Sequence, residues 1–139
     1  MDTGIKVGDC MKTELVTINE DASVFDAARK MTDEKVGSLV VGDSKGKLCG
    51  LVTDEDLVRK ALAKNNLKAK VKELTSKPLI GVSAEADLSE AARLMGARHV
   101  KRLVVQKGRE IVGIITARDI TELSPSLYDL IAERERIKA

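Results

Sequence analysis

Two short segments of the chain share a spacing of residue types that suits the binding of a sugar phosphate. Each has a glycine, two apolar residues, a threonine, two variable residues and an aspartate, at Gly50–Asp56 and Gly113–Asp119. Where a strand leads into a helix, backbone N–H groups of the first turn can bind a phosphate. The threonine hydroxyl can donate to that phosphate, and the aspartate can accept from ribose hydroxyls. Because this spacing is also typical of helix caps, the pattern alone favours capping and leaves binding as the alternative.

These two segments end two copies of one sequence unit. Residues 22–31 align with residues 86–95, and the sequence LVV occurs at 39–41 and again at 103–105. The offset between the copies is 64 residues at first and 63 at the end, because the second copy lacks one turn residue. An internal repeat of about 60 residues predicts two pseudo-symmetric units that share a core. Such a pair would enclose a cleft in which a ligand could bind.

Each copy predicts the element order turn–β–α–β–β–α, an α/β fold of the α+β type. Apolar residues three and four positions apart give each long helix one buried face. In the first copy we expect a strand at 15–18, a helix at 23–31, two strands within 38–53 and a helix at 54–65. In the second copy the strand pair falls within 102–116 and the last helix at 117–123. Two capping boxes are expected at the long helices, Ser23 with Asp26 and Asp87 with Glu90.

The predicted repeats cover residues 5–62 and 63–123, which leaves residues 124–139 as a C-terminal helix. Ser124 followed by Pro125 is a typical helix start. The helix carries a partial apolar stripe, so we expect it to pack on the domain or to form a dimer contact. A free helix that binds a partner is the alternative.

Composition argues against several classes of protein. The chain has 139 residues, a formal net charge of +2, and only two aromatic residues, Phe25 and Tyr128, which disfavours base stacking on a single strand. Six basic residues and no acidic one lie within 59–72, where a solvated helix face is favoured over a contact with an acidic partner or with phosphates. No apolar run has the length of a signal peptide or a membrane span, so we expect a cytoplasmic protein.

Catalytic and metal chemistry find little support in the sequence. His99 is the only histidine, and Cys10 and Cys49 are isolated, so no persuasive zinc site can be assembled. Neither of the common glycine-rich phosphate-binding motifs occurs. The acidic run Asp54–Asp56 suits the positive end of a helix dipole without any catalytic role. We therefore expect no enzymatic activity, no metal site and two free thiols.

Taken in order, the repeated features resemble the cystathionine β-synthase (CBS) domain family over roughly residues 5–123. They are the openings VGDCMKTELVTI and VKELTSKPLIGV, the helices ending in AARKM and AARLM, the LVV strands and the threonine–aspartate endings. The resemblance implies that two repeats pair through their sheets into a disc-like Bateman module. It implies adenine nucleotides (AMP, ADP or ATP) as regulatory ligands in clefts between the repeats, with Mg²⁺ accompanying ATP and no other cofactor. Such modules often form homodimers, and this chain resembles the stand-alone members that regulate a separate protein.

The resemblance also implies which residues of this chain contact the ligand. Ribose and phosphate would be bound by the threonine–aspartate pairs, Thr53 with Asp56 and Thr116 with Asp119. The base would be contacted largely through the backbone of two strands, at Thr17, Ile18, Gly81 and Val82. The residues just before the LVV strands, Gly37, Ser38, Lys101 and Arg102, would occupy positions from which side chains of family members often reach the phosphates.

The two copies differ in charge around these positions. Thr53 is followed by three carboxylates, so a phosphate there would meet like charge unless a metal ion or a basic residue intervened. Thr116 is followed by Arg118, whose planar guanidinium fits two phosphate oxygens, and His99, Lys101 and Arg102 belong to the same repeat. We therefore expect one strong nucleotide site, at Thr116, Arg118 and Asp119, and one weak or empty site. The alternative is a surface helix residue for Arg118, a solvated loop for Lys101 and Arg102, and a loop or partly buried residue without ligand contact for His99.

Two functions remain in competition at this stage. The first is a non-catalytic sensor that binds an adenine nucleotide in the cleft between the repeats. The second is a ligand-free module for dimerisation or for docking to a separate protein partner. Nucleic-acid binding would rest on residues 59–72 alone and is disfavoured. An S-adenosyl compound or a cyclic dinucleotide also remains open as the ligand.

Overall fold

The structure is a computed structural model that describes residues 2–132. The first repeat contains β1 (Thr17–Asn19), α1 (Val24–Glu34), β2 (Ser38–Gly42), β3 (Leu48–Thr53) and α2 (Asp54–Asp56), which continues as a π-helix over Leu57–Leu62. The second contains α3 (Val71–Leu74), β4 (Gly81–Ser83), α4 (Leu88–Arg98), β5 (Arg102–Lys107), β6 (Glu110–Thr116) and α5 (Ala117–Leu123). No helix within residues 2–132 is long and apolar enough to cross a bilayer.

The two repeats form sheets of identical topology. In each sheet the middle strand pairs in parallel with the first strand and antiparallel with the third, in the orders β1-β2-β3 and β4-β5-β6. The predicted α/β fold and the predicted order of elements are confirmed. The first strand lies at 17–19 rather than 15–18, and the helix after β3 ends at 62 rather than 65. Asn65 has a positive φ of 55°, so the chain turns there instead of continuing the helix.

The compact units of the structure are not the sequence repeats. Within the described residues, one unit combines residues 2–14 with residues 80–132, and the other is Leu15–Leu79. Within the first unit, the N–H and carbonyl of Lys12 bond with Ile114 of β6, both at 2.9 Å. Within the second, Ser76 bonds in the same way with Leu51 of β3, at 2.9 and 3.1 Å. The opening of each repeat is therefore hydrogen-bonded to the last strand of the other.

Each unit has its own apolar core between its sheet and its long helix. In the Leu15–Leu79 unit, Ala27 of α1 packs with Leu39, Val41 and Val52 of the sheet. In the other unit, the buried face of α4 packs with the corresponding sheet residues Leu103, Val105 and Ile115. The predicted helix faces are confirmed, apart from Ala28, which is only half-buried. Because alanine is small, each helix lies close to its sheet.

The two long helices are capped differently. Ser23 and Asp26 form the predicted capping box at α1. At α4 the predicted partner of Asp87 was wrong: its carboxylate accepts from the N–H of Ser89 at 2.9 Å and from the Ser89 hydroxyl at 2.6 Å. The same carboxylate accepts from the N–H groups of Thr3 and Gly4. Asp87 therefore ties the N-terminal residues to α4, which leaves it poorly placed to form a box with Glu90.

The chain after α5 begins as a 3₁₀ turn, Pro125–Leu127, and residues 128–132 are helical. Leu127 is fully buried in the core of its unit, and Ile131 is nearly so. The first part of this segment therefore packs on the unit that contains α5. The rest of the predicted C-terminal helix, residues 133–139, lies outside the described residues.

Candidate functional site

Both threonine–aspartate pairs form complete capping boxes. Thr116 accepts from the N–H of Asp119 at 3.1 Å, and Asp119 Oδ2 accepts from the N–H of Thr116 at 3.0 Å. Thr53 and Asp56 repeat this arrangement at 3.1 and 2.9 Å. Each box occupies one carboxylate oxygen and leaves Oδ1 for another partner. The capping interpretation is therefore correct, and a ribose hydroxyl could still be accepted by Oδ1.

The glycine of each motif is explained by packing within its own unit. A Cβ on Gly113 would lie 2.7 Å from the carbonyl oxygen of Lys12, and one on Gly50 would lie 2.7 Å from that of Ser76. Neither distance is compatible with a side chain. The glycines thus let the opening segments approach the last strand of each sheet.

A lysine lies beside the free oxygen of each aspartate, but the two lysines come from different places. Lys60, one turn along the same helix, lies 3.0 Å from Asp56 Oδ1 and also donates to the carbonyl of Leu74 at 3.2 Å. Lys12, from the opening segment, lies 3.8 Å from Asp119 Oδ1. Both aspartate side chains are 14% exposed, so a ligand could still reach them. Lys12 could not be predicted as part of this site from the sequence, because only the pairing of its segment with β6 brings it to the motif.

The residues next to β5 are fixed to the second motif by the backbone. Arg102 lies directly across from Thr116 in the β5–β6 register, and the carbonyl of Lys101 accepts from the N–H of Ala117 at 2.8 Å. In the other unit Ser38 faces Thr53 in the same register. The structure therefore brings Arg102 and the Lys101 backbone to the start of α5, and their contact with a phosphate remains a prediction.

Arg118 is 87% exposed and pairs with Glu122 one turn later, with Nε 3.0 Å from Oε1. The helix start of the first repeat carries the same kind of pair with the charges reversed, Glu55 with Arg59 at 3.0 Å. An acidic residue near the helix N-terminus and a basic one further along is the favourable order. The order in α5 is the unfavourable one, so helix stability does not explain why Arg118 stands next to Thr116.

A cavity of about 250 Å³ lies beside Arg118, within the unit that contains α5. One wall is formed by the chain before β5 and the first turns of α5, at Val100, Lys101, Ala117, Arg118 and Thr121. The other wall is formed by the chain after α5, at Tyr128, Ile131 and Ala132. Two of the predicted phosphate-binding residues therefore share a concave surface that also contains an aromatic ring.

The positions of the remaining predicted contact residues neither support nor oppose binding of a ligand. The side chains of Ile18 and Val82 are buried in the two cores, which leaves only their backbone for a ligand. Thr17 is exposed on the edge strand β1, and Gly81 lies on the edge strand β4 under the side chain of Gln106. His99 is an exposed left-handed residue that ends α4, with φ of 56°. Ligand contacts at these positions remain predictions.

The two cysteines are free, as expected. Partial burial, followed by the nearby charges of Asp9 and Asp119, raises the pKa of the Cys10 thiol. The thiol is therefore protonated at neutral pH and is a poor nucleophile. Among residues 2–132, no three side chains of the metal-binding types His, Cys, Asp and Glu lie together as a metal ion would require.

Much of the basic charge in residues 59–72 is neutralised by acidic neighbours. Arg59 and Lys60 pair with Glu55 and Asp56, and Lys72 lies 3.1 Å from Asp21. Hydrogen bonding to Asp21 is also the main reason that the pKa of Lys72 is raised. The solvated, ion-paired interpretation of this stretch therefore fits the structure better than a phosphate-binding surface does.

Known proteins share the repeated sequence and the fold of this chain. The profile of the CBS domain matches the chain twice, at residues 7–63 and 71–126. The protein YlbB of Bacillus subtilis is 34% identical over 119 residues, which are 84% of this chain and 80% of YlbB. A conserved protein of Pyrococcus horikoshii has a similar crystal structure, with a TM-score of 0.81 and 29% identity over 89% of this chain and 95% of that one.

A further similar structure contains ligands. It is the CBS domain pair of protein MJ0100 in complex with 5′-methylthioadenosine and S-adenosyl-L-methionine, with a TM-score of 0.78 and 26% identity. The alignment covers 88% of this chain and 97% of that one. The twofold match of the domain profile spans most of the sequence, and both repeats show the expected topology. The chain therefore belongs to the CBS domain family, as a protein with two CBS domains.

Proposed function

We propose that this chain is a non-catalytic regulatory module that binds an adenine nucleotide (AMP, ADP or ATP) at the Thr116–Asp119 motif and acts as a ligand or energy sensor. The adenosine ligands of MJ0100 support an adenosine-type ligand for the family fold. The choice of a phosphate-bearing ligand comes from the charges of this chain. Its two free thiols suit a reducing compartment, so we also propose a cytoplasmic location.

The observation that carries the proposal is the difference in charge between the two motifs. Four basic residues surround the second motif, Lys12, Lys101, Arg102 and Arg118. At the equivalent places around the first motif stand Ser76, Gly37, Ser38 and Glu55. Two cations lie near the first motif, and both already have acidic partners: Lys60 is bound to Asp56 and to the Leu74 carbonyl, and Arg59 is paired with Glu55. An anionic ligand is therefore favoured at the second motif and disfavoured at the first.

Regulation would follow from linkage between the ligand and the conformation of the module. A ligand can shift an equilibrium between two arrangements only by the difference between its affinities for them. Lys12 and Arg118 come from the opening segment and from α5, so a phosphate bound by both would restrain both. A partner protein that recognises one arrangement would then respond to the nucleotide.

The test is calorimetric titration of the protein with AMP, ADP, ATP (with and without Mg²⁺), GTP and S-adenosylmethionine. We expect saturable binding of adenine nucleotides, one per chain. Asp119→Ala should weaken the binding, whereas Asp56→Ala should not. The two variants are matched controls, because each removes the aspartate side chain from one of two equivalent capping boxes and leaves the threonine cap in place. Affinity is measured rather than a shift in Tm, so a loss of stability common to both variants does not enter the result.

The absence of binding for every one of these compounds would favour a docking or dimerisation module instead. One observation supports that second function: Val58 and Leu62 lie one turn apart on the helix after β3 and are 55% and 62% exposed. Exposed apolar residues that are neighbours on a helix can form part of a larger contact surface. A homodimer is therefore proposed, to be tested by light scattering of the wild type and of Val58→Ser/Leu62→Ser. A monomeric wild type would exclude it.

A further inference from the structure

The cavity beside Arg118 is closed on one side by a part of the chain that follows both repeats. This C-terminal segment, residues 124–132, contributes Tyr128, Ile131 and Ala132 to the cavity wall. The opposite wall carries Lys101 and Arg118, two residues proposed above to bind phosphate. The volume of about 250 Å³ lies just below the range usual for small-molecule sites, which suits one moiety of a nucleotide.

The C-terminal segment is held in place by contacts that do not involve the cavity. Leu127, which does not line the cavity, is fully buried in the core of its unit. On α4, a Cβ at Gly96 would collide with the carbonyl oxygen of Leu130. The equivalent residue in α1 is Thr32, which is exposed. Gly96 therefore marks the place where the second repeat departs from the first in order to accept this segment.

Tyr128 is the member of the segment that can interact with an anion. Its side chain lines the cavity while the residue stays 53% exposed, so it is not needed for the core. The phenol can donate one hydrogen bond. The pairing of Arg118 with Glu122 is a surface contact of little strength, so an incoming phosphate can displace it.

We propose that the C-terminal segment is part of the nucleotide site, and that Tyr128 together with Lys101 and Arg118 selects ligands that carry phosphate over uncharged adenosine derivatives. The inference rests on the proposed function, because it assumes that an adenine compound binds at the second motif. It adds a residue outside both repeats and a preference among adenine compounds. Neutral ligands such as 5′-methylthioadenosine offer nothing to the basic residues of the cavity and should bind more weakly.

The chain is well suited to a direct test, because Tyr128 is its only tyrosine and it has no tryptophan. Intrinsic fluorescence of the full-length protein therefore reports on Tyr128 alone. Titration with ATP should change this emission with saturation, after correction for absorbance with free N-acetyltyrosinamide. The concentration of adenosine that gives half of the maximal change in emission should be at least tenfold higher than that of ATP. The same change with adenosine and ATP at equal concentration would overturn the proposed selectivity.

Variants separate the role of Tyr128 from general effects on the fold. By calorimetry, Tyr128→Phe should lose about tenfold in affinity for ATP, as expected for one hydrogen bond to a charged group, and little for adenosine. Leu123→Ala is the matched control, because Leu123 is also 53% exposed in the same unit and does not line the cavity. Gly96→Ala should displace the segment without altering a cavity residue, and it should weaken ATP binding in the same way.

The failure of this inference can be told apart from the failure of the proposed function. If calorimetry shows that ATP binds while the tyrosine emission and the affinity of Tyr128→Phe stay unchanged, the C-terminal segment has no part in the site and the proposed function stands. If none of the adenine compounds binds to the wild type, both proposals are wrong. A loss of ATP affinity in Tyr128→Phe and Gly96→Ala, but not in Leu123→Ala, supports the inference.

Discussion

At the scale of single residues, the glycine–threonine–aspartate spacing that occurs twice in this chain has two separate structural causes. The threonine and aspartate close a capping box, and the glycine lets an opening segment approach the last strand. Neither cause requires a ligand, so the motif alone says little about binding. The functional argument depends on the surrounding charges, because the positions equivalent to Lys12 and Arg118 in the other copy hold Ser76 and Glu55.

Gly113→Ala is expected to destabilise the protein by about 1–3 kcal/mol, the usual cost of forcing extra volume into a packed site. The added methyl group would lie 2.7 Å from the Lys12 carbonyl oxygen, so the opening segment must move. The measurement is urea unfolding followed by circular dichroism. Gly42→Ala is the control, since its methyl group would meet no atom closer than 3.9 Å. Equal stability of the two variants would contradict the packing explanation.

Asp87 gives a prediction on pH. Hydrogen bonds from the Ser89 side chain, and then from the backbone of Thr3 and Ser89, hold the pKa of Asp87 well below its ordinary value. A carboxylate with a lowered pKa in the folded state stabilises the fold above its unfolded pKa of about 3.9, and this stabilisation is lost as the pH falls through the folded value. Asp87→Asn should therefore lower the urea midpoint at pH 7, and the difference from wild type should shrink steadily below pH 4. A difference that is constant between pH 7 and pH 3 would show that charge on Asp87 has no role.

At the scale of elements, the start of α5 carries its ion pair in the order that opposes the helix dipole. The double variant Arg118→Glu/Glu122→Arg keeps the pair and reverses its order. We expect unchanged or slightly higher stability, by about 0.3–1 kcal/mol, together with loss of nucleotide affinity. Thermal unfolding and calorimetry measure the two effects separately. Wild-type affinity for ATP in the swapped variant would exclude Arg118 from the site.

The first repeat offers the matched control for this swap. Glu55→Arg/Arg59→Glu reverses the equivalent pair, which already has the favourable order. We expect a small loss of stability and no change in affinity at the second motif.

The elements themselves could largely be predicted from local sequence. Apolar spacing located both long helices, and the Ser23–Asp26 pair located the start of α1. Contacts between segments far apart in the chain could not be predicted, because no local period encodes them. Thus Asp87 was assigned Glu90, three residues away, whereas the structure gives it Thr3 as well as Ser89. Lys12 was missed at the candidate site for the same reason.

At the scale of the whole molecule, the exchange of opening segments decides how stability is distributed. Val71 and Leu74 belong by sequence to the second repeat, yet both are buried in the core of the Leu15–Leu79 unit. Val7 belongs to the first repeat and is buried in the core of the other unit. A repeat cut out by its sequence boundaries would therefore lack part of its core and would carry an opening that packs elsewhere. The two CBS domains of this chain therefore depend on each other for stability, even without a ligand.

This dependence can be measured in the intact chain by amide hydrogen exchange. Leu74→Ala should cost about 2–5 kcal/mol, the usual range for truncation of a buried leucine. Exchange should accelerate most in α1, β2 and β3, which share a core with Leu74, although these elements belong to the other sequence repeat. Val7→Ala should have the converse effect: it lies in the first sequence repeat and should accelerate exchange in α4, β5 and β6 of the second. Faster exchange confined to the repeat that carries each substitution would mean that the openings do not stabilise the units in which they lie.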